Sequence, residues 1–207
     1  MIISIFIRGK PAKTEPVLSD KPRPEIAGNY YYIDRIYKKL GNYPEAENNI
    51  RKAYEIYQQT LGEETIYTSM TRKQIAELFY LQGDYAKARA EIEEVLKVVQ
   101  KIAPEKPNLY MIYAEEVLAN ILVKTGEPEK AEKIMREVVD SYGKLLESPH
   151  PDIALAKRSL GETLIARKKI VEARQILTDS KKEFVESVGE DNPETQKCRE
   201  LLNSLDK

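Results

Sequence analysis

One segment of the sequence recurs four times at a nearly constant interval. The copies are "LGNYPEAENNI" from residue 40, "QGDYAKARAEI" from residue 82, "TGEPEKAEKIM" from residue 125 and "RKKIVEARQIL" from residue 167. An alanine stands at the same place in every copy, and the four alanines are 42, 43 and 42 residues apart: Ala46, Ala88, Ala131 and Ala173. Repetition at this interval predicts a solenoid, in which each unit buries its apolar face only against its neighbours.

Each unit has the pattern of a helical hairpin. Apolar residues recur at helical spacing before each turn, as at Ile33, Ile36 and Tyr37, and a second apolar stripe follows the turn. The recurring alanine is small because two helices about 8–10 Å apart leave little room at their closest contact. Lys168 stands at the turn of the fourth unit. The other three units have a glycine there, which adopts a left-handed conformation without steric strain: Gly41, Gly83 and Gly126.

These features together resemble the tetratricopeptide repeat in its 42-residue form, as in kinesin light chains. The Gly-x-Tyr-x-x-Ala core of that family is present at residues 41–46 and 83–88, and the small residue of its first helix matches Ala76, Ala119 and Gly161. Repeat one departs from the pattern at Asp34, and repeat four lacks both the glycine and the tyrosine. The resemblance implies an all-α right-handed superhelical solenoid of about four helical hairpins plus a C-terminal capping helix.

The domain organisation follows from the repeats and from the composition of the N-terminus. Residues 1–27 are expected to be extended and disordered, since residues 8–24 contain four prolines and five basic residues against two acidic ones. The repeat domain is expected to span residues 28–207. Its repeats are placed at about 28–66, 67–109, 110–152 and 153–192, with a terminal helix at 193–205 whose Leu201, Leu202 and Leu205 would cover the end of repeat four.

Composition excludes most catalytic chemistry. The chain has one histidine, His150, and one cysteine, Cys198, which leaves no zinc-binding set and no nucleophile–histidine pair. The nine glycines are scattered, so they form no phosphate-binding loop. We therefore expect no enzymatic activity, no metal and no other cofactor, and we interpret His150 as a turn residue that bonds the start of a helix.

Charge and cysteine usage also bear on partners and location. A formal net charge of -1 provides no basic field for nucleic acid, and the seven apolar residues at the N-terminus are far fewer than the roughly 20 that span a bilayer. A single cysteine is typical of a reducing compartment. We expect a cytoplasmic protein that binds neither nucleic acid nor membrane, although the apolar N-terminus leaves export open; the oligomeric state is undetermined.

The resemblance implies a non-catalytic protein–protein interaction module, or scaffold, that holds an extended peptide or partner segment in its concave groove. Two alternatives remain open. One is a peptide-sensing regulatory domain that controls a separate or missing effector. The other, which the near-neutral charge and the repeat length disfavour, is a helical repeat that binds nucleic acid.

In this family the first helix of each hairpin lines the concave face, which identifies a candidate peptide-binding set. For any single member an ordinary solvated helix face is the simpler interpretation. The set as a whole favours a site, because basic side chains and exposed tyrosines cluster in the first two repeats and would suit acidic and apolar residues of a ligand. Counting back from each turn, the set is Tyr31, Tyr32, Arg35, Lys38, Lys39, Lys73, Gln74, Glu77, Tyr80, Glu116, Asn120, Lys124, Arg158, Ser159 and Glu162.

Overall fold

The structure, a computed structural model, describes residues 23–206, and this part of the chain forms nine α-helices and no strand. Four antiparallel hairpins follow one another, and a single helix ends the array. The helices are α1 (Pro24–Lys39), α2 (Tyr43–Leu61), α3 (Ile66–Leu81), α4 (Tyr85–Ile102), α5 (Leu109–Lys124), α6 (Pro128–Leu145), α7 (Pro151–Ala166), α8 (Ile170–Val188) and α9 (Pro193–Ser204).

The hairpins stack in sequence order. Each helix packs against the next one along the chain, and the first helices also contact one another, α3 with α5 and α5 with α7. This confirms the predicted all-α helical repeat solenoid. Helix α1 begins at Pro24, four residues before the expected start of the repeat domain, because a proline at the first helical position needs no N–H partner. The rest of the expected extended segment, residues 1–22, lies outside the described residues.

The turn within each hairpin has one geometry in all four repeats. The three turn glycines have φ between 72° and 83°, and Lys168 takes the same left-handed conformation with φ 58°. In the first turn the N–H of Asn42 donates to the carbonyl oxygen of Tyr37 at 2.9 Å, and in the fourth the N–H of Lys169 donates to that of Leu164 at 2.9 Å. Lysine therefore replaces glycine without changing the hydrogen bonds that end the helix.

Small residues lie where helices approach most closely. The four recurring alanines are fully buried, as are Ala76 and Ala119 of the first helices. Gly161 fills the equivalent place in repeat four, where a Cβ atom would lie 2.6 Å from both Cγ and Cδ2 of Leu177. The small-residue positions of the sequence pattern are thus contact points between the two helices of a hairpin.

Repeat one differs from the prediction along α1. Ile33 and Ile36 were expected to be packing positions, but both are exposed, and Ile36 has 58% of its surface accessible. The buried residues of this helix are Ala27 and Asp34. The reason is positional: in later repeats this face is covered by the preceding hairpin, and no hairpin precedes α1 in residues 23–206.

The links between hairpins are held by side-chain caps at the helix starts. His150 does what its position in the link predicts, since its Nδ1 accepts from the N–H of Asp152 at 3.1 Å. The equivalent caps of α3, α5 and α9 are Thr65, Asn108 and Asn192. Each cap satisfies helix N–H groups that lack an intrahelical partner.

Helix α9 covers the end of repeat four. Cys198 and Thr195 are its fully buried residues, and Cys198 packs with Phe184 of α8. Leu205 lies against the core of repeats three and four, and its carbonyl oxygen accepts from Arg174 at 2.9 Å. The capping role assigned to the terminal segment therefore holds, with Cys198 at its centre.

Candidate functional site in the concave groove

The first helices of the four hairpins line one continuous groove of about 820 Å³. One lining residue, Tyr142, belongs to a second helix, α6. The rest of the lining comes from α1, α3, α5 and α7, namely Tyr31, Arg35, Lys38, Lys39, Met70, Lys73, Gln74, Glu77, Tyr80, Leu81, Tyr110, Tyr113, Glu116, Val117, Asn120, Asp152, Leu155, Arg158 and Ser159.

Three members of the candidate set do not line this groove. Tyr32 lies on the outer side of α1, 63% exposed, with its ring edge against Tyr31 at a centroid distance of 5.8 Å. Lys124 is exposed at the last residue of α5. Glu162 lies one turn beyond Arg158 and forms an ion pair with it. The remaining members of the set all belong to the lining.

A network of charged and polar side chains joins repeats one and two across the groove. The Nζ atom of Lys38 lies 3.1 Å from Asp34 and 3.2 Å from Glu77, and it also donates to Gln74. Gln74 in turn donates to the hydroxyl of Tyr31 at 2.9 Å. Lysine 38 is thus held by three partners and is not a free cation.

The second lysine of this region is also committed. Lys73 forms an ion pair with Glu77, and its side chain is only 11% exposed. Burial acts to lower the pKa of Lys73, but the Glu77 carboxylate outweighs it and the pKa is raised. Burial acts to raise the pKa of Glu77, but Lys73 and Lys38 outweigh it and the pKa is lowered. Both groups therefore stay charged in the groove.

The middle of the groove holds an acidic and aromatic group around Glu116. Burial raises the pKa of Glu116 to about 7, with Lys73 acting in the opposite direction. Tyr142 donates to a Glu116 carboxylate oxygen at 3.4 Å, and the Tyr113 ring lies between the two sides of the groove, 6.3 Å from the Tyr142 ring and 5.9 Å from the Lys73 Nζ. Near neutral pH this carboxyl group can exchange a proton as its surroundings change.

Two predicted residues of repeat four have structural partners. Arg158 is 7% exposed and bridges Glu162 and Glu194, the latter at 3.3 Å from α9. Ser159 is buried as well, in the contact between first helices. Gln74 occupies the same place in repeat two and is equally buried.

The free basic groups of the groove lie at its N-terminal end. Arg35 and Lys39 are exposed on α1, and neither forms an ion pair with any residue of the 23–206 range. Tyr110 on the opposite side is 41% exposed. This end of the groove therefore combines uncommitted positive charge with accessible aromatic surface.

Some lining residues were missing from the candidate set. Met70, Tyr113 and Leu155 occupy one repeating position, a turn before Lys73, Glu116 and Arg158. Extending the count from each turn by one more helical turn would have found them. Tyr142 gave no such signal, because it lies in the buried stripe of a second helix and only its hydroxyl reaches the groove.

Two kinds of site were searched for in the described part of the chain. Residues 23–206 contain no group of three or more histidine, cysteine, aspartate or glutamate side chains arranged to hold a metal ion. None of the helices described is long and apolar enough to cross a membrane.

Comparison with known families gives two matches, both to models described as tetratricopeptide repeat. One covers residues 35–101 and the other residues 116–152, which together make up slightly more than half of the chain. The chain belongs to the tetratricopeptide repeat family. The matched residues take in repeats one to three, and repeat four joins them through its hairpin geometry. No curated protein sequence matches the chain.

Solved structures of tetratricopeptide-like proteins have the same fold at low sequence identity. The Podosopora anserina kinesin light chain homologue with nearly identical TPR-like repeats is 19% identical, with a TM-score of 0.68 over 88% of this chain and 85% of its own. BtubC (BKLC) from P. vanneervenii is 17% identical, with a TM-score of 0.72 over 88% and 72%. The Rap Protein complexed with Competence and Sporulation Factor is 18% identical, with a TM-score of 0.74 over 86% and 47%.

These repeats are of the kinesin-light-chain-like type, as their length indicated. Tetratricopeptide repeats are in general non-catalytic modules on which proteins interact. The chain is accordingly a scaffold for protein–protein interaction.

Proposed function

We propose that this tetratricopeptide repeat domain binds an extended peptide segment of a partner protein in its concave groove. The observation that carries the proposal is the groove itself, about 820 Å³ and lined almost wholly by first helices. A groove of this size and shape suits a chain segment in extended conformation. The Rap Protein, whose fold matches this chain, supports the proposal because it was solved in complex with Competence and Sporulation Factor.

The charge distribution suggests which ligand residues bind where. Acidic ligand side chains would pair with Arg35 and Lys39, since the other basic groups of repeats one and two already have carboxylate partners. Apolar ligand side chains would lie against the tyrosine rings, chiefly Tyr31, Tyr80 and Tyr110. The ligand is therefore an acidic and apolar segment bound in the N-terminal half of the groove.

The test is selection of a short-peptide library against the full chain, followed by calorimetric titration of the selected peptides. Selected peptides should combine Asp or Glu with aromatic or branched aliphatic residues. Micromolar affinity corresponds to about -8 kcal/mol, and an anchor worth ~1.4 kcal/mol changes affinity about tenfold. The Arg35→Glu, Lys39→Glu double variant should therefore bind at least tenfold more weakly.

The matched control makes the same charge change on second helices, with Lys97→Glu and Lys133→Glu on α4 and α6. These lysines are exposed and absent from the groove lining. A control pair that weakens binding as much as the groove pair would place the binding surface elsewhere. Selection of Lys- and Arg-rich peptides would contradict the proposed ligand chemistry.

A second candidate function is regulation of an effector by ligand binding. It is favoured by the match to the Rap Protein, of whose chain this protein covers 47%. The discriminating measurement is whether a selected peptide changes the affinity of the full chain for a partner recovered from the native host. A regulator requires such coupling, whereas a simple scaffold does not.

We also propose a cytoplasmic location, with neither nucleic acid nor membrane as a partner. The single cysteine, which is buried with a free thiol, supports it. Fractionation of native host cells with an antibody to this chain tests it, and recovery from the medium or the membrane fraction would overturn it.

A further inference from the structure

Helix α1 exposes a face that is buried in every later repeat. Ile36 is 58% exposed, whereas its equivalents Leu78, Ile121 and Thr163 are each exposed by at most 1%. The interval of 42 or 43 residues that relates them is the repeat interval. The same comparison applies to Tyr32, whose equivalents in the other three repeats are all buried.

These residues form one contiguous surface, here called the α1 edge, that consists of Ile26, Tyr32, Ile33 and Ile36. Their spacing of three, four and seven residues places them on one side of the helix. In later repeats this side meets the preceding hairpin, and at the other end of the array α9 covers the last hairpin. The α1 edge has no such cover within residues 23–206.

We propose that residues 2–7 of the same chain, "IISIFI", cover the α1 edge and act as the N-terminal cap of the solenoid. Five of these six residues are apolar, and they lie outside the described residues. Removing two apolar surfaces from water is favourable in proportion to the area buried. The edge supplies an apolar surface of matching character on a helix of 16 residues.

The length of the connecting chain fits this occupant. Residues 8–23 join the apolar run to the start of α1 and can extend over about 50 Å, while a 16-residue helix is about 24 Å long. The run can therefore reach any point of the α1 edge. A tethered segment also has an effective concentration in the millimolar range, which favours it over a second copy at micromolar concentration.

The proposal revises the organisation expected for the N-terminus. Residues 8–22 keep the role of an extended tether, but residues 2–7 belong to the packed domain. Prolines and charges of the tether prevent it from continuing α1 towards the N-terminus, so the apolar run approaches the edge from outside the helix.

Disulfide trapping in the full chain tests the contact directly. Phe6→Cys is combined with Ile36→Cys on the edge or, as the control, with Arg35→Cys, the neighbouring exposed residue that lines the groove. The two pairs have nearly the same tether length, and native Cys198 remains because it is buried. We expect the edge pair to form an intrachain disulfide at least tenfold faster than the control pair.

Two results of this experiment would overturn the proposal. Equal rates for the two pairs would mean that residues 2–7 have no preferred site. Disulfide-linked dimers in place of an intrachain bond, detected by non-reducing electrophoresis, would mean that a second copy covers the α1 edge.

A thermal unfolding cycle supplies an independent measurement. Ile36→Gln should lower the melting temperature of the full chain, and its effect should shrink when Phe6→Gln is already present. Because glutamine has a helix propensity at least as high as isoleucine, the substitution at a solvent-exposed position would not lower the melting temperature. An unchanged or raised melting temperature for Ile36→Gln would therefore contradict the proposal.

Discussion

Gly161 in α7 is the position at which one added methyl group should have the clearest effect on stability. A Cβ atom there would lie 2.6 Å from two side-chain atoms of Leu177, and Leu177 is fully buried in α8 and has little room to move. Overpacking of this kind costs ~1–3 kcal/mol. The higher helix propensity of alanine offsets about 1 kcal/mol of that cost. We expect Gly161→Ala to lower the free energy of unfolding by up to about 2 kcal/mol.

Gly143 provides the matched control. It also lies within a helix, α6, but it is exposed and a Cβ atom there would meet nothing within 4 Å. Gly143→Ala should therefore gain helix propensity without a clash and stabilise the protein by about 0.5–1 kcal/mol. Equilibrium unfolding in urea measures both variants, with the change read from the midpoint at constant slope.

The cause is tested by removing the clashing side chain. Leu177→Ala alone should cost ~2–5 kcal/mol through the cavity it leaves. In that background Gly161→Ala should become favourable, which corresponds to a coupling energy of ~1–3 kcal/mol. The reasoning is refuted if Gly161→Ala is as stabilising as Gly143→Ala, or if it destabilises both backgrounds equally.

Three further predictions concern single positions of the repeats. Lys168→Gly should raise the free energy of unfolding by about 0.5–1 kcal/mol, because φ 58° strains a lysine but not a glycine; a loss of stability in urea unfolding would contradict this. Ala88→Leu should cost ~1–3 kcal/mol at a fully buried helix contact while exposed Lys87→Leu is nearly neutral, and equal melting temperatures would refute the hairpin register. Burial raises the pKa of Asp34 to about 6 despite the opposing Lys38. A raised carboxyl pKa means that stability falls as pH rises from about 4 to about 6, so the melting-temperature advantage of Asp34→Ala should grow over that interval, and a constant difference would refute it.

Sequence periodicity was sufficient for the fold because the repeat constrains every level at once. The alanines at the helix contacts and the glycines at the turns require one hairpin geometry, and Lys168 adopts it even without a glycine. Periodicity was misleading for Ile33 and Ile36. A repeating pattern assigns the same environment to equivalent positions, whereas the first unit of an array has a neighbour on one side only.

The candidate site was predicted less completely than the fold, for two physical reasons. A count along the first helices identifies which side chains face the groove, but it does not show which of them pair with each other; Lys38 and Arg158 look free in the sequence and are held by carboxylates in the structure. The count also cannot find Tyr142, whose ring is in the core and whose hydroxyl alone reaches the groove.

The paired charges bear on how the proposed ligand would be selected. An acidic ligand residue that approached Lys73 would have to displace Glu77, which would leave a half-buried carboxylate without its partner and cost free energy. Arg35 and Lys39 impose no such cost, so electrostatic attraction concentrates at the N-terminal end of the groove. The internal pairs also hold their own side chains in place before binding, which reduces the conformational entropy lost when a ligand arrives. The groove would therefore choose its ligand by charge at one end and by apolar fit along the tyrosines, with the network between Lys38 and Glu77 acting as a rigid wall.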